Sequence, residues 1–281
     1  MIDLHTHTNV SDGTDTPREL VNKALAQGIT VLGLTDHDTV GGWDEATSAL
    51  RPGIDLVLGS EISAQTVDGI SVHILGLLFD RHNAELAQIL TDTRDNRIGR
   101  MERIISKLNS AGYDITMEDV QAQLSQGATL GRPHLADALV AKKIVKSREE
   151  AFNELLHNSS PHYVGHYSPT PEVAIEHIKK AGGVAIIAHP FASLRGRTIS
   201  VESFAPLVAA GLDGIEIEHR DHSTPDRQLC REIVNTYGLI ETGSSDYHGT
   251  GKLNLLGEST TTSENWEILA ARATGGEVVR A

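Results

Sequence analysis

Short runs of β-branched and apolar residues alternate along the chain with longer polar stretches in which apolar residues recur every three or four positions. The first pattern is that of buried strands and the second that of amphipathic helices, so the repeat reads as successive βα units of an α/β fold. Seven runs qualify as strands: residues 2–5, 31–35, 55–59, 71–78, 184–188, 214–218 and 239–242. Several helical stretches carry their own punctuation. Thr16-Pro17, Thr170-Pro171 and Thr224-Pro225 each set a hydroxyl ahead of a proline, and Gly28, Gly182 and Gly238 follow at the far ends. That order predicts an N-cap, a first-turn proline and a C-terminal glycine for each helix.

The alternation breaks between residues 81 and 167, where helical patterns follow one another at 84–111, 117–126, 134–142 and 148–156. The chain is therefore expected to build one barrel-type domain from residues 1–80 and 168–281, with 81–167 as a helical insertion. The Asp68-Gly69 pair within residues 65–69 predicts a hairpin turn leading into the fourth strand.

Charge narrows the partners. The formal net charge is −14, so a broad electrostatic grip on duplex DNA or on an anionic membrane is not expected. The longest apolar runs fall short of the ~18 residues a membrane helix needs, and the first residues lack a signal-peptide pattern; a cytoplasmic location is the expectation. The single cysteine, Cys230, excludes an intrachain disulfide and a thiolate-built zinc site. Any metal would have to be held by histidines and carboxylates.

Those residue types gather where chemistry is expected. In a parallel α/β barrel the reacting groups collect at the C-terminal ends of the strands. In chain order those ends offer His5 and His7, Asp36 and His37, Glu61, His189, His219 with Asp221 and His222, and Asp246 with His248. His73 lies inside its strand run and fits less well. Burying so many titratable groups costs several kcal/mol each unless they are paired, a difficulty that divalent cations remove. The donors exceed one coordination sphere, which implies two or three ions, and a nitrogen–oxygen set without sulfur suits Mn²⁺ first, with Zn²⁺ or Fe²⁺ as alternatives.

His5-Thr6-His7-Thr8 with Ser11-Asp12-Gly13, Thr35-Asp36-His37-Asp38, Gly59-Ser60-Glu61, His73-Ile74-Leu75-Gly76, His189-Pro190 and Ser245-Asp246-Tyr247-His248 resemble the motif series of the PHP (polymerase and histidinol phosphatase) family. The chain is most similar to its branch of 3′,5′-nucleoside bisphosphate phosphatases and 5′-to-3′ exoribonucleases, a likeness favoured by Gly131-Arg132-Pro133-His134. The resemblance implies a distorted seven-stranded (β/α)7, TIM-like barrel with a trinuclear centre. In it His5, His7, Glu61 and Asp246 would hold one ion, and Glu61 would bridge to a second held by His73 and His189. Asp12, His37 and His248 would hold a third. Asp12 stands where some relatives have His.

Phosphate monoester hydrolysis needs accelerations of up to ~10²¹, while a placed acid or base supplies ~10² to 10⁴, so activation of water by the ions and their clamp on the phosphoryl oxygens must carry most of the rate. Arg132, His134 and Arg195 are the candidates for binding substrate phosphate. His222 is the candidate for protonating the leaving oxygen, Asp246 for acting with it, and His219 for orienting substrate. The expected reaction removes the 3′-phosphate of a nucleoside 3′,5′-bisphosphate such as 3′-phosphoadenosine 5′-phosphate. Alternatives are exonucleolytic cleavage of short RNA, a histidinol-phosphatase-like monoesterase, and an inactive metal-binding accessory module.

Overall fold

The structure, a computed structural model, describes residues 1–125, 127–165 and 168–281. Gln126, the expected end of one insertion helix, and His166 and Tyr167, near the expected end of the insertion, lie outside the described residues. Among the described residues seven strands form one sheet in chain order: β1 (Ile2–Asp3), β2 (Val31–Leu34), β3 (Asp55–Gln65), β4 (Ser71–Leu77), β5 (Val184–Ala188), β6 (Gly214–Glu218) and β7 (Ile240–Gly243). The helices are α1 (Pro17–Ala26), α2 (Trp43–Ala49), α3 (Ala84–Ser110), α4 (Met117–Gln121), α5 (Arg132–Ala141), α6 (Arg148–Glu154), α7 (Pro171–Lys180), α8 (Phe204–Ala209), α9 (Thr224–Tyr237) and α10 (Ser263–Ala270).

The sheet curls into a distorted, nearly closed barrel. Thr6 bridges to Tyr247 in parallel, and the His7 N–H donates to the Tyr247 carbonyl at 2.8 Å. Buried Asp3 tightens the seam by accepting from the backbone N–H groups of Ser245 and Gly257 at 3.0 and 2.9 Å. Side-chain alternation divides the core as the two-residue strand period requires. Val57, Leu75, Leu77, Val184 and Ile186 fill the interior with Trp266 from α10, whereas Leu56, Ile74, Ala185, Ile187, Ile215 and Ile217 face the helices.

One feature departs from an all-parallel barrel. β4 pairs antiparallel with both β3 and β5. Its start therefore lies at the same end as the C-termini of its neighbours, and that is why His73, the third residue of β4, reaches the functional mouth from inside a strand. β3 also runs on to Gln65 instead of stopping at residue 59, because its second half pairs with β4 through the turn closed by the Thr66 N–H to Ile70 carbonyl bond.

Thr16 and Glu19 form a reciprocal capping box at α1, and Thr170 caps α7. At α9 the cap is Ser223, one residue earlier than expected, because Asp226 is placed to return its hydrogen bond. Helices α3 to α6 share a second core built on Met101, Leu108, Leu135, Leu139 and Leu155. Arg97 of α3 locks this layer to the barrel by pairing with fully buried Asp38.

Candidate metal centre and substrate cleft

The loop after β1 carries His5, His7 and Asp12 to the barrel mouth, and its shape is set locally. Asp36 accepts from the Thr8 N–H and hydroxyl at 2.7 and 2.6 Å and from the Ser11 hydroxyl at 2.6 Å. It is thus the brace of this loop, although its place at a strand end resembles a ligand's. A Cβ at Gly13 would stand 2.7 Å from the His7 carbonyl oxygen, so the turn needs glycine to fold back on the histidine.

The expected ligands converge. His5 Nε2 and His7 Nε2 lie 3.2 and 3.1 Å from Glu61 Oε2, and 3.5 and 3.4 Å from Asp246 Oδ1. The other Glu61 oxygen, Oε1, faces His73 Nδ1 at 2.7 Å and His189 Nε2 at 3.1 Å. His248 Nε2 is 3.2 Å from Asp12 Oδ1, and His37 Nε2 is 3.8 Å from Asp12 Oδ2. The donor atoms fall into groups that could each hold a cation: His5, His7, Glu61 and Asp246; His7, Asp12, His37 and His248; His37, Glu61 and His73; and His5, His189 and Glu216. Within a group the atoms lie within 4.8 Å of one another. His37 thus leans toward Glu61 as well as Asp12, its Nδ1 standing 3.1 Å from Glu61 Oε2.

Hydrogen-bond accounting shows that the set fits metal ions. Buried ring nitrogens are normally satisfied. Here His37 Nδ1, His73 Nδ1 and His248 Nε2 are buried without a hydrogen-bond partner, even where a carboxylate oxygen is near. Three unpartnered ring nitrogens, beside a His5–His7 contact of 3.0 Å and a His189–Glu61 contact of 3.1 Å, are an arrangement a divalent ion would satisfy.

The charges are divided across the centre. Burial opposes ionisation of Glu61, but His37, His73 and His5 overcome it and hold the carboxyl well below the usual range. Burial likewise opposes ionisation of Asp246, and Lys252 and Arg195 keep it low. Burial lowers His189 and His37 strongly and takes His248 down to about 4, leaving neutral imidazoles whose nitrogens are free to donate lone pairs.

The cations around this centre differ from expectation in detail. Arg195 donates from Nε to Asp221 and from Nη2 to Asp246 Oδ2, both at 2.6 Å, so it sits against a candidate ligand at the cleft wall. Lys252, which the sequence reading missed, adds a 3.0 Å bond to the same oxygen. Arg132 donates to the Leu156 carbonyl and to Asn158, lies over the Tyr163 and Phe152 rings, and lines the cleft. His134 is turned inward: its Nδ1 accepts from the Gly131 N–H and closes the start of α5, so it is a brace behind Arg132.

The two histidines after β6 also separate. Burial is the main cause lowering His222. Its Nδ1 donates to the Ile217 carbonyl and its Nε2 accepts from the Phe191 N–H, which leaves no ring nitrogen for a leaving group. The expected proton-donor role therefore finds no support in the geometry. His219 accepts the Asp221 N–H at Nδ1, which puts the proton of its neutral ring on Nε2. That nitrogen is buried, unpartnered and 3.5 Å from Asp246 Oδ2.

A second missed residue is Glu216. It faces the barrel interior from β6 and accepts from His5 Nδ1 at 3.0 Å and from the His189 N–H at 2.9 Å. The centre opens into a cleft of 1280 Å³ roofed by the insertion, whose walls include Arg97, Arg100, Arg132, Arg195 and Lys252.

Comparison with known proteins places this site in context. The PHP domain model matches residues 3–181. A 3′,5′-nucleoside bisphosphate phosphatase of Chromobacterium violaceum is 34% identical over 252 residues, covering 89% of this chain and 88% of that protein. A 5′-3′ exoribonuclease of Haemophilus influenzae is 35% identical over 248 residues, covering 88% and 89%. A crystal structure from Bifidobacterium adolescentis, assigned as a metal-dependent phosphoesterase, superposes with a TM-score of 0.92 at 39% identity, over 97% of this chain and 96% of that one.

Proposed function

We propose, from the premise that this chain belongs to the PHP family and is a metal-dependent phosphoesterase, that it removes the 3′-phosphate of nucleoside 3′,5′-bisphosphates. The observation that carries the reading is Arg132. Among the described residues it has no carboxylate partner, yet it lines the cleft that opens from the histidine–carboxylate centre. A substrate with one phosphate at the centre and another at Arg132 uses both features. Likeness to the Chromobacterium violaceum phosphatase supports the same substrate class.

His5, His7, Glu61 and Asp246 would hold one ion, Glu61, His73 and His189 a second, and Asp12, His37 and His248 a third, with Mn²⁺ the first choice. Bound there, such ions supply Lewis acidity and make water nucleophilic at neutral pH. The remaining work falls to the chain. Arg195 and Lys252 neutralise Asp246 Oδ2 and stand at the cleft wall, where incoming phosphoryl oxygens would find both cations. His219 offers an Nε2–H beside them, set by the Asp221 N–H on its other nitrogen. Arg132 is pre-ordered by Asn158 and by two aromatic faces, which limits the entropy lost when an anion binds.

The test is substrate-dependent loss. Replacing Arg132 with Ala removes a charge-assisted contact of about 1.5 to 3 kcal/mol, so kcat/KM for a bisphosphate should fall roughly ten- to a hundredfold. A simple aryl phosphate, which lacks the second anion, should be much less affected. Equal losses on both would assign Arg132 to the reacting phosphoryl group, and no loss on either would remove the observation on which the reading stands.

A second reading, 5′-to-3′ cleavage of short RNA, is favoured by the size of the cleft. Its 1280 Å³ exceeds the ~300 to 1,000 Å³ of ordinary small-molecule pockets. Leu194 and Leu253, 90% and 78% exposed, stand on its lip where a further base could rest. Assay of bisphosphates beside short oligoribonucleotides, at equal enzyme and Mn²⁺, decides between the readings by kcat/KM.

A further inference from the structure

We propose that Glu216 is a positioning residue of the metal centre: one buried carboxylate sets which nitrogen of His5 faces the ions and holds the backbone that presents His189. The inference rests on the metal-centre reading and extends it to a residue outside the expected ligand set.

The geometry has two halves. On one side, Glu216 Oε1 lies 3.0 Å from His5 Nδ1. A carboxylate can only accept there, so Nδ1 carries a proton, and in the neutral ring that a metal ion would bind the lone pair is then on Nε2. Nε2 is the nitrogen that faces Glu61 and Asp246. On the other side, Glu216 Oε2 accepts from the His189 N–H at 2.9 Å. His189 is a non-glycine residue with φ of +31°, a conformation that persists only when its surroundings enforce it. The bond from β6 supplies that enforcement at the point where β5 ends and the ring turns toward Glu61 Oε1.

His5, His189 and Glu216 could also be read as a cation-binding trio in their own right. The hydrogen bonds argue against that. Both Glu216 oxygens are taken by N–H donors, and His5 and His189 direct Nε2 at Glu61. Glu216 therefore acts through the two histidines.

Glu216→Gln is the informative change because it preserves shape. Both neighbours of the carboxylate are N–H donors, whereas an amide has one accepting atom and one donating atom. If its oxygen stays on His189, its NH₂ meets His5 Nδ1 and drives the proton onto Nε2, closing the lone pair that faces the ions. If it turns the other way, His189 loses its anchor.

The experiment is calorimetric titration of the chelator-stripped full chain with Mn²⁺. Glu216→Gln should bind 10- to 100-fold more weakly, with the number of ions unchanged. Affinity within twofold of wild type overturns the proposal, and loss of one whole ion from the stoichiometry overturns it in favour of direct ligation. Wild type that binds no Mn²⁺ overturns the metal-centre reading together with it. A second measurement needs no folded variant at position 216. In Zn²⁺-loaded wild type labelled with ¹⁵N-histidine, the His5 ring, assigned by its absence in His5→Gln, should carry a slowly exchanging proton on Nδ1. An unprotonated Nδ1, or one bound to zinc, refutes the proposal.

Discussion

Arg97→Ala tests how the insertion is fastened to the barrel. Asp38 is fully buried, and its carboxylate receives four contacts: the Ser63 N–H at 2.7 Å, the Ser63 hydroxyl at 3.0 Å, and Arg97 Nε and Nη2 at 3.0 and 2.6 Å. The truncation deletes the only cation among these and leaves a buried charge with two neutral donors. The Arg97 side chain is itself only 11% exposed, so water screens the pair weakly. Breaking a buried ion pair from one side costs about 3 to 5 kcal/mol. At roughly 2 to 4 °C per kcal/mol for a chain of this size class, Tm should fall by roughly 6 to 20 °C. Arg97 also donates to the Leu130 carbonyl and shares α3 with Arg100, so the cleft wall should loosen and KM for a phosphate substrate should rise. Thermal scanning of the single variant beside Arg97→Ala/Asp38→Asn separates causes. The second change removes the stranded charge and should restore part of the loss. A Tm drop below 2 °C in the single variant, or no recovery in the double, would refute the argument that this buried pair fastens the two cores.

Further expectations follow from individual groups. Glu61→Ala should lose Mn²⁺ at two positions together, because its two oxygens face different histidine groups; elemental analysis after loading that finds wild-type stoichiometry would show that Glu61 is no bridge. His222→Gln should lower Tm while leaving the shape of the pH–rate profile intact, since both ring nitrogens serve backbone groups; disappearance of one limb would restore it as a proton donor. Burial pushes the Cys230 thiol up to about 12, and a thiolate forms only as pH approaches that value. The folded protein should therefore resist a thiol reagent at pH 8 and react with one equivalent once unfolded, and fast labelling of native protein would contradict this placement.

Much of the centre was legible because most of the candidate ligands follow strand ends and strand ends can be read from hydrophobic runs. His5, His7, His189, Asp246 and His248 all meet at the mouth this way, and Glu61 meets them from within β3, which runs on past it to Gln65. His73 was harder to place, since strand direction is a pairing property and no residue of β4 announces that it runs antiparallel. Glu216 carried a signal that went unused. In Gly214-Ile215-Glu216-Ile217 the isoleucines pack against the helices, so alternation points Glu216 into the barrel, where a carboxylate needs a partner. Lys252 and Arg97 had no such signal. Their roles depend on where a loop and a 27-residue helix return to the barrel, which local pattern does not encode.

A phosphoesterase of net charge −14 must still attract a phosphate ester. Most basic groups near the cleft are already matched: Arg97 by Asp38, Arg148 by Asp137, and Arg195 by Asp221 and Asp246. Arg100 and Arg132 are different, because among the described residues neither has a carboxylate partner. Each is held by backbone carbonyls and by the Tyr163 ring. Burial, with Arg132, Arg97 and Arg103 nearby, brings Arg100 down to about 9. Two guanidinium groups held against mutual repulsion gain more from an incoming anion than two exposed ones would, since water screens them less. The attraction is therefore local to the roof of the cleft, and an overall acidic surface is compatible with phosphate recognition inside it.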